Sequence, residues 1–564
     1  MVITISRERV TNFVSSFQNL PLNWVVIEIA VVLSVMATLY FFVNDQILLY
    51  GDAESHINIA KRVVDGITPG MAQLGGVWLP LPHLLMLPFV KFDFMWRSGL
   101  AGSIVSGISY VIASLYIYKF SLLLIKSKMA SFLAFLLFAL NPNILYLQST
   151  PLTEMPLIVF FVLSSYYFTQ FVFIALQNRN QENAQRDKEF LSLILAAFFA
   201  FCASLTRYDG WFLVVMELVV IVLIYLPTNR YKNLFHESKF KSLPVLIQNK
   251  FFISRLKFER VQGMAILFST LAFFGIFLWL MWDFMILGDP LYFTNSQFSA
   301  KSQQQNWLNR GQLPAYHNPG LAFMYYFVDS MSNVGMMIFL VALVGLFVFN
   351  RRGNRYFHFL ITLILLAPFI FNVLTLYLGQ SIIFIPHLTP VGFDWRLFNA
   401  RYGVMMVPFA AFFVSYLFMK SAYGGKILIV GLCLLQGLLF GIGYSKVLAY
   451  ADGYEGLSSA KRPDAERWLL KNYDGGLVLI DDFSRATSIV RSGIPMQRVI
   501  YIGNKPYWQE SLKEPEKYAK WIVIQKEDDL WRKIYTQPDL QGRLYKHFVK
   551  AYTSPDILIF KRNY

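Results

Sequence analysis

"WVVIEIAVVLSVMATLYFFV", residues 24–43, runs four residues later into "LLYGDAESHINIAKRVVDG", residues 48–66, and the fold is decided by how this passage is read. The first segment carries a single charge, Glu28. About 20 apolar residues in a helix cross a bilayer core of about 30 Å. The second segment opens at once with Asp52, Glu54 and His56. Ionisable groups set at the mouth of a membrane span are costly, and they mark function by default.

The same pattern continues along the chain. Of 564 residues, 56% are hydrophobic and 15% are charged, against about 25% charged in a soluble domain. Spanning helices are expected near 24–43, 99–118, 129–147, 152–174, 190–206, 211–226, 263–284, 333–349, 357–378, 401–419 and 427–446. The stretch "WLPLPHLLMLPFV", 78–90, is short and interrupted by Pro80, Pro82 and Pro88, so it reads as interfacial or re-entrant. A membrane β-barrel is excluded, because it would show alternating ten-residue segments instead. The first apolar run is too long for a cleaved signal and lacks a small-residue exit, so it reads as a retained helix.

A net charge of +16 would suggest nucleic acid in a soluble protein. Here the positive-inside rule explains it, and no nucleic acid partner is expected. With the N-terminus cytoplasmic, the inner termini and loops hold 21 Lys and Arg, and the outer loops up to Arg401 hold nine. Taking 78–90 as a full span would reverse that bias. The expectation is therefore an all-α polytopic membrane protein of about eleven spans over residues 1–446. Its first outer loop is 44–98, its long cytoplasmic loop 227–260, and further outer loops are 285–332 and 379–400. Beyond 447, apolar runs such as "LVLI", "WIVI" and "ILIF" alternate with helical stretches. They indicate a small extracytoplasmic α/β domain over 447–564. Its Lys and Arg suit an acidic surface, although a charge run is more often a solvated face. No N-x-[ST] acceptor occurs, which favours a prokaryotic cell membrane. Cys202 and Cys433 each sit in an apolar run, so no disulfide framework is expected. No metal-ligand spacing is present; a cofactor or divalent metal is not indicated.

On this topology the embedded polar groups gather on the outer side. Asp52, Glu54 and His56 open the first loop. Glu154 lies in "STPLTEMP", Arg207 and Asp209 in "LTRYDGW", and Arg396, Arg401 and Tyr402 in "DWRLFNARYGVMMVP". Each has a structural alternative. Asp52 and Glu54 suit a helix N-terminus, His56 shares a helix face with Asp52, Arg207 and Asp209 make a plausible interfacial pair, and Arg401 a snorkelling anchor. His83, His317 and His387 read as structural. Agreement in side and depth favours a shared site. A carboxylate there can serve as general base on an acceptor hydroxyl or amine, and an Arg can hold phosphate bidentately. Together they suit attack on a phosphate-linked carbon, with the lipid tail of the donor in the bilayer.

Four stretches, "YGDAESHINIAKRVVDG", "GVWLPLPHLLMLPFVKF", "LNPNILYLQSTPLTEMPLIVFF" and "NARYGVMMVP", resemble in order the glycosyltransferase C superfamily, near its protein O-mannosyltransferase and lipid A aminoarabinose transferase branch. The resemblance implies a polyprenyl-phosphate-linked sugar donor, a glycan, lipid or protein acceptor, and inverting transfer at the outer face. Asp52 matches the first-loop acid expected as base. Glu54 departs in spacing, since Ala53 intervenes, and the choice between Asp52 and Glu54 stays open. The Lys that precedes the Pro-containing segment in aminoarabinose-type relatives is missing from "GGVWLP", which leaves Arg401 or Arg207 to meet the phosphate. His56, Glu154, Asp209, Arg396 and Tyr402 complete the expected donor-binding set. A multi-pass lipid or solute transporter is the alternative, since the same charges would line a pathway. Glu28 and Glu217 are the acids expected within spans, and no internal repeat accompanies them.

Overall fold

The computed structural model describes residues 21–178, 186–224, 255–386, 388–456, 464–481 and 488–563. Arg7, Arg9, Arg179, most of the loop 227–260, His387 and Asp482 lie outside the described residues. All eleven expected apolar stretches overlap helices. Among the described residues, five of these helices are long and apolar enough to span a membrane: Leu22–Val43, Leu100–Ile125, Glu154–Asn178, Ala400–Lys420 and Tyr423–Gly441. Three bent pairs raise the number to eight when each is one span: Glu259–Ala272 with Phe274–Leu287, Pro319–Val334 with Met336–Arg351, and Arg355–Leu365 with Ala367–Tyr377.

The remaining expected spans fall short for local reasons. Asn141 and Pro142 split 129–147 into Lys128–Ala139 and Pro142–Leu147. Arg186–Ser204 begins with four charged residues, and the expected span 211–226 runs from Asp209–Ile224 to residues outside those described. The Pro-broken segment forms a ten-residue helix, Leu81–Val90.

The outer loop expected at 285–332 is more structured than its sequence suggested. Pro319–Val334 is an apolar helix that meets Met336–Arg351 at 111°. Gly335 makes this corner with φ 94°, and its Cα faces Gln436 so closely that a Cβ would sit 2.6 Å from the glutamine Cγ. Gln436 in turn accepts from the Met337 amide at 3.1 Å. The acids within apolar helices also number more than Glu28 and Glu217: Asp283 and Asp329 are fully buried in Phe274–Leu287 and Pro319–Val334.

The stretch 148–153 is buried without being helical, which in a membrane bundle requires partners for its free backbone groups. Neighbouring serines supply them. Ser103 donates to the Ser149 carbonyl at 2.7 Å and Ser106 to the Thr150 carbonyl at 2.8 Å. Gly102 permits this approach; a Cβ there would lie 2.3 Å from Pro151 Cβ and 2.4 Å from its Cα. Gly102→Val is expected to destabilise the protein by about 1–3 kcal/mol through overpacking, seen as a lower thermal midpoint in detergent.

The C-terminal part is a five-stranded mixed sheet in the order β2-β1-β3-β5-β4. Its strands are β1 (Val478–Ile480), β2 (Val499–Ile500), β3 (Trp521–Gln525), β4 (Phe548–Thr553) and β5 (Ile557–Arg562). The first three pair in parallel, and β5 runs antiparallel to β3 and β4. Val478, Ile480, Trp521 and Val523 pack toward the large core shared with the bundle, while Leu479, Ile500, Ile522 and Ile524 form a second core. This alternation is the period-two signature of strands buried on both faces.

Candidate active site

Four segments, each with a local reason for its shape, bring the polar groups together. The helix Gly51–Asp65 starts directly after the first span and carries Asp52 and Glu54 in its first turn. The buried stretch 148–153 delivers Thr153 and Glu154 to the start of Glu154–Asn178. Arg186–Ser204 and Asp209–Ile224 turn back tightly through 205–208, because Gly210 has no Cβ to strike the Ala203 carbonyl 2.2 Å away. That turn places Arg207 and Asp209. Asn399 adopts a left-handed backbone, φ 54°, a region asparagine tolerates better than most residues. It turns the chain into Ala400–Met406, which presents Arg401 and Tyr402.

Arg401 is the hub. Its Nη2 donates to Asp52 Oδ2 at 2.6 Å, its Nε to Glu154 Oε1 at 2.9 Å and its Nη1 to Asn399 Oδ1 at 3.2 Å. Asp452, from the helix Leu448–Glu455, stands 4.0 Å from Nη1. Arg207 shares the same Glu154 oxygen through Nη1 at 3.1 Å, takes Thr153 Oγ1 at 3.1 Å and pairs with Asp209 Oδ2 at 3.3 Å. The Tyr402 ring lies 5.1 Å from both guanidinium carbons, and the Tyr50 ring 4.6 Å from that of Arg401. Glu154 and Arg401 are almost wholly enclosed, at 1% and 3% exposure, whereas Asp52 and Arg207 keep 19% and 20%. The inner pair is thus enclosed by protein, and the outer two keep one side open.

Electrostatics follow from burial and pairing. Burial works against the charge on Arg207, but Glu154 and Asp209 beside it raise its pKa above the ordinary value. Burial pushes the Asp452 carboxyl up to about 6, with the Arg401 guanidinium opposing. Burial lowers His56 to about 4 against the pull of Asp52 and Glu154, so its imidazole is neutral near pH 7.

The other expected site residues lie outside the Arg401 hub. His56 is one turn beyond Asp52 on the same helix, with Nδ1 2.9 Å from His83 Nε2. Glu54 turns toward the C-terminal domain, where its Oε1 lies 3.5 Å from Arg491 Nε. Arg396 is exposed and donates to the Pro386 carbonyl. Reading the sequence missed Tyr50, Thr153, Asn399 and Asp452 in the cluster. Asn399 and Tyr50 adjoin motifs already singled out; Asp452, in "LAYADGYEG", carries no such signal. Among the described residues, no three of His, Cys, Asp and Glu are grouped to hold a metal ion.

The C-terminal domain clamps the same first-loop helix. The Arg62 guanidinium lies over the Tyr501 ring at 3.8 Å. Tyr501 donates to Gln73, Asn504 to Thr68 Oγ1 at 3.0 Å, and Arg97 to the Val490 carbonyl at 3.0 Å. Arg491 adds Asp45 at 3.2 Å to its contact with Glu54. Partly exposed pairs of this kind contribute about 0–1 kcal/mol each. Arg491→Ala is therefore expected to leave the thermal midpoint nearly unchanged in a melting experiment.

Residues 103–264 match the model of the family described as dolichyl-phosphate-mannose-protein mannosyltransferase. The matched stretch contains Glu154, Arg207 and Asp209. The fold is similar to that of ArnT from Cupriavidus metallidurans bound to undecaprenyl phosphate, with 10% identity, a TM-score of 0.51, and 94% of this chain and 97% of that chain covered. It is also similar to the archaeal oligosaccharyltransferase AglB from Archaeoglobus fulgidus, in complex with an inhibitory peptide and a dolichol-phosphate. That likeness has 12% identity, a TM-score of 0.50, and covers 96% of this chain and 74% of that one. At these identities the likeness is one of fold. Among curated proteins none matches the chain.

Proposed function

We propose that this chain, a membrane glycosyltransferase of the dolichyl-phosphate-mannose-protein mannosyltransferase family by its residues 103–264, moves a sugar from a polyprenyl-phosphate donor to a glycan, lipid or protein acceptor at the extracytoplasmic face. The observation that carries this reading is the Arg401 hub, which holds Asp52 and Glu154 together while Arg207 shares the same Glu154 oxygen. Asp52 is the general base. It takes the proton of the acceptor hydroxyl or amine as that atom attacks C1 of the sugar. The bond from C1 to the phosphate oxygen breaks on the opposite side, so the configuration at C1 inverts. Arg207, open on one side and firmly cationic, receives the charge that develops on the departing lipid phosphate. Tyr402 and Asp209 border the donor, and Glu154 fixes the spacing of the two guanidiniums.

Glu54, facing Arg491, belongs to the domain contact in this scheme. Arg396 is not assigned a donor contact. The transport alternative draws no support from the sharpest bend in the bundle. The corner at Gly335 is closed by Gln436 rather than lining an open path.

The test uses the full chain in nanodiscs, a panel of undecaprenyl-phosphate-linked sugars, and an envelope extract that supplies acceptors. Release of undecaprenyl phosphate by the wild type, weakened donor binding in Arg207→Ala and inverted product stereochemistry are expected. Electrogenic uptake in proteoliposomes without sugar transfer would overturn the reading.

A further inference from the structure

The proton taken by Asp52 needs a destination, and the site holds one buried pair that the scheme above leaves unused. His56 and His83 are 4% and 0% exposed. Their facing nitrogens, Nδ1 and Nε2, are 2.9 Å apart, so one proton is shared between two neutral rings. Trp78 covers His56, with ring centroids 4.5 Å apart. His83 is held by the helix Leu81–Val90, packed against the helix that carries Asp52. Asp52 and His56 are four residues apart, hence one above the other on one helix face. The charged groups that act on His56 are Asp52 from its own helix, Glu154, Arg207 and Arg401 from three other segments, with neutral His83 behind.

The charge balance of the transfer gives this pair a task. The donor is a phosphodiester with one negative charge. The acceptor O–H or N–H bond breaks, the bond from that atom to C1 forms, and the C1–O bond to phosphate breaks with its electron pair. What remains is a lipid phosphate monoester with two negative charges at pH above its second pKa of about 6, and one proton on Asp52. Among Asp52, Glu154, Asp209, Arg207 and Arg401 the acids already outnumber the cations. An extra negative charge there favours a cation nearby.

We propose that His56, backed by His83, is the second stop for this proton: it passes from the Asp52 carboxyl to His56 Nε2, the Nδ1 proton stays shared with His83, and the resulting imidazolium offsets the second charge of the lipid phosphate until that product leaves. Asp52 is thereby ionised again before release. The inference rests on the polyprenyl-phosphate reading of the site. It makes product binding, not only turnover, depend on proton uptake by this pair.

The test is binding of farnesyl phosphate, an isoprenyl monoester, to the full-length protein in nanodiscs. Calorimetry at pH 7.5 in buffers of different ionisation enthalpy reads the protons taken up. The wild type is expected to bind with net proton uptake, larger at pH 7 than at pH 8. His56→Gln and His83→Gln are expected to bind with most of that uptake lost, and with an affinity that no longer rises as pH is lowered from 8 to 7. A second readout needs no variant: in wild type labelled with 15N-histidine, farnesyl phosphate brings up an imidazolium signal, resolvable among seven histidines. Undiminished uptake in a folded His56→Gln protein, or no imidazolium signal in the wild type, overturns the relay. Failure of the wild type to bind farnesyl phosphate at all overturns instead the lipid-phosphate reading beneath it.

Discussion

Asp52→Asn lowers turnover by about 10²–10⁴-fold, the contribution of a positioned general base, and leaves the protein folded. The expectation of a folded variant comes from the geometry. The asparagine side-chain oxygen can still accept from Arg401 Nη2, where Asp52 Oδ2 lies at 2.6 Å, so the hub keeps its arrangement while the carboxylate basicity is gone. The loss falls on kcat, and donor affinity changes little, because the proposed scheme gives the phosphate to Arg207 rather than to Asp52. Glu54→Gln is the control. Its partner is Arg491, 25% exposed, and a pair of that kind contributes about 0–1 kcal/mol, which corresponds to a rate change within about fivefold. Full turnover in Asp52→Asn with collapse in Glu54→Gln would move the base to Glu54. Release of undecaprenyl phosphate from its sugar-linked form is the measurement.

The second large effect concerns stability. Arg401→Met removes the cation shared by Asp52 and Glu154 and leaves Glu154, 1% exposed, with Arg207 alone. Breaking a buried ion pair from one side costs about 3–5 kcal/mol, and domains are stable by only about 5–15 kcal/mol. The variant is expected to express poorly and to melt well below the wild type in detergent. Arg401→Lys is expected to recover only part of the loss. A single ammonium cannot reproduce a planar fork that reaches Asp52, Glu154 and Asn399 together. An Arg401→Lys protein with wild-type melting and turnover would contradict the hub.

Much of this arrangement is legible in the amino-acid sequence. Charged groups at the ends of apolar helices are rare, and those of Asp52, Glu154, Arg207, Asp209 and Arg401 agree in side once the basic loops orient the chain. The limit of legibility is equally physical. Asp52 and Glu54 are two residues apart, and side chains at i and i+2 of a helix do not face each other. One of them had to leave the cluster, and nothing in "GDAESH" says which. The same holds for Arg396 and Arg401, separated by the left-handed turn at Asn399. Asp452 was hidden because a lone acid after the last span reads as a solvated helix terminus. Its burial depends on Leu448–Glu455 folding back onto Pro142–Leu147 and Ala400–Met406. The expectation of an outer loop over 285–332 met its limit at Gly335, where one residue joins the helix Pro319–Val334 to the next through a corner that hydropathy does not register.

Asp52 and Arg401 are separated by 349 residues of chain, and the clasp on the Asp52 helix comes from Tyr501 and Arg491, later still. A chain emerging from the ribosome inserts its early helices first. The first-loop helix therefore waits, its acid in place but its clasp missing, while most of the protein is being made. In the proposed scheme, a lipid-linked sugar therefore meets the assembled Asp52–Arg401 site only once Arg401 and the clasping residues have followed in the chain.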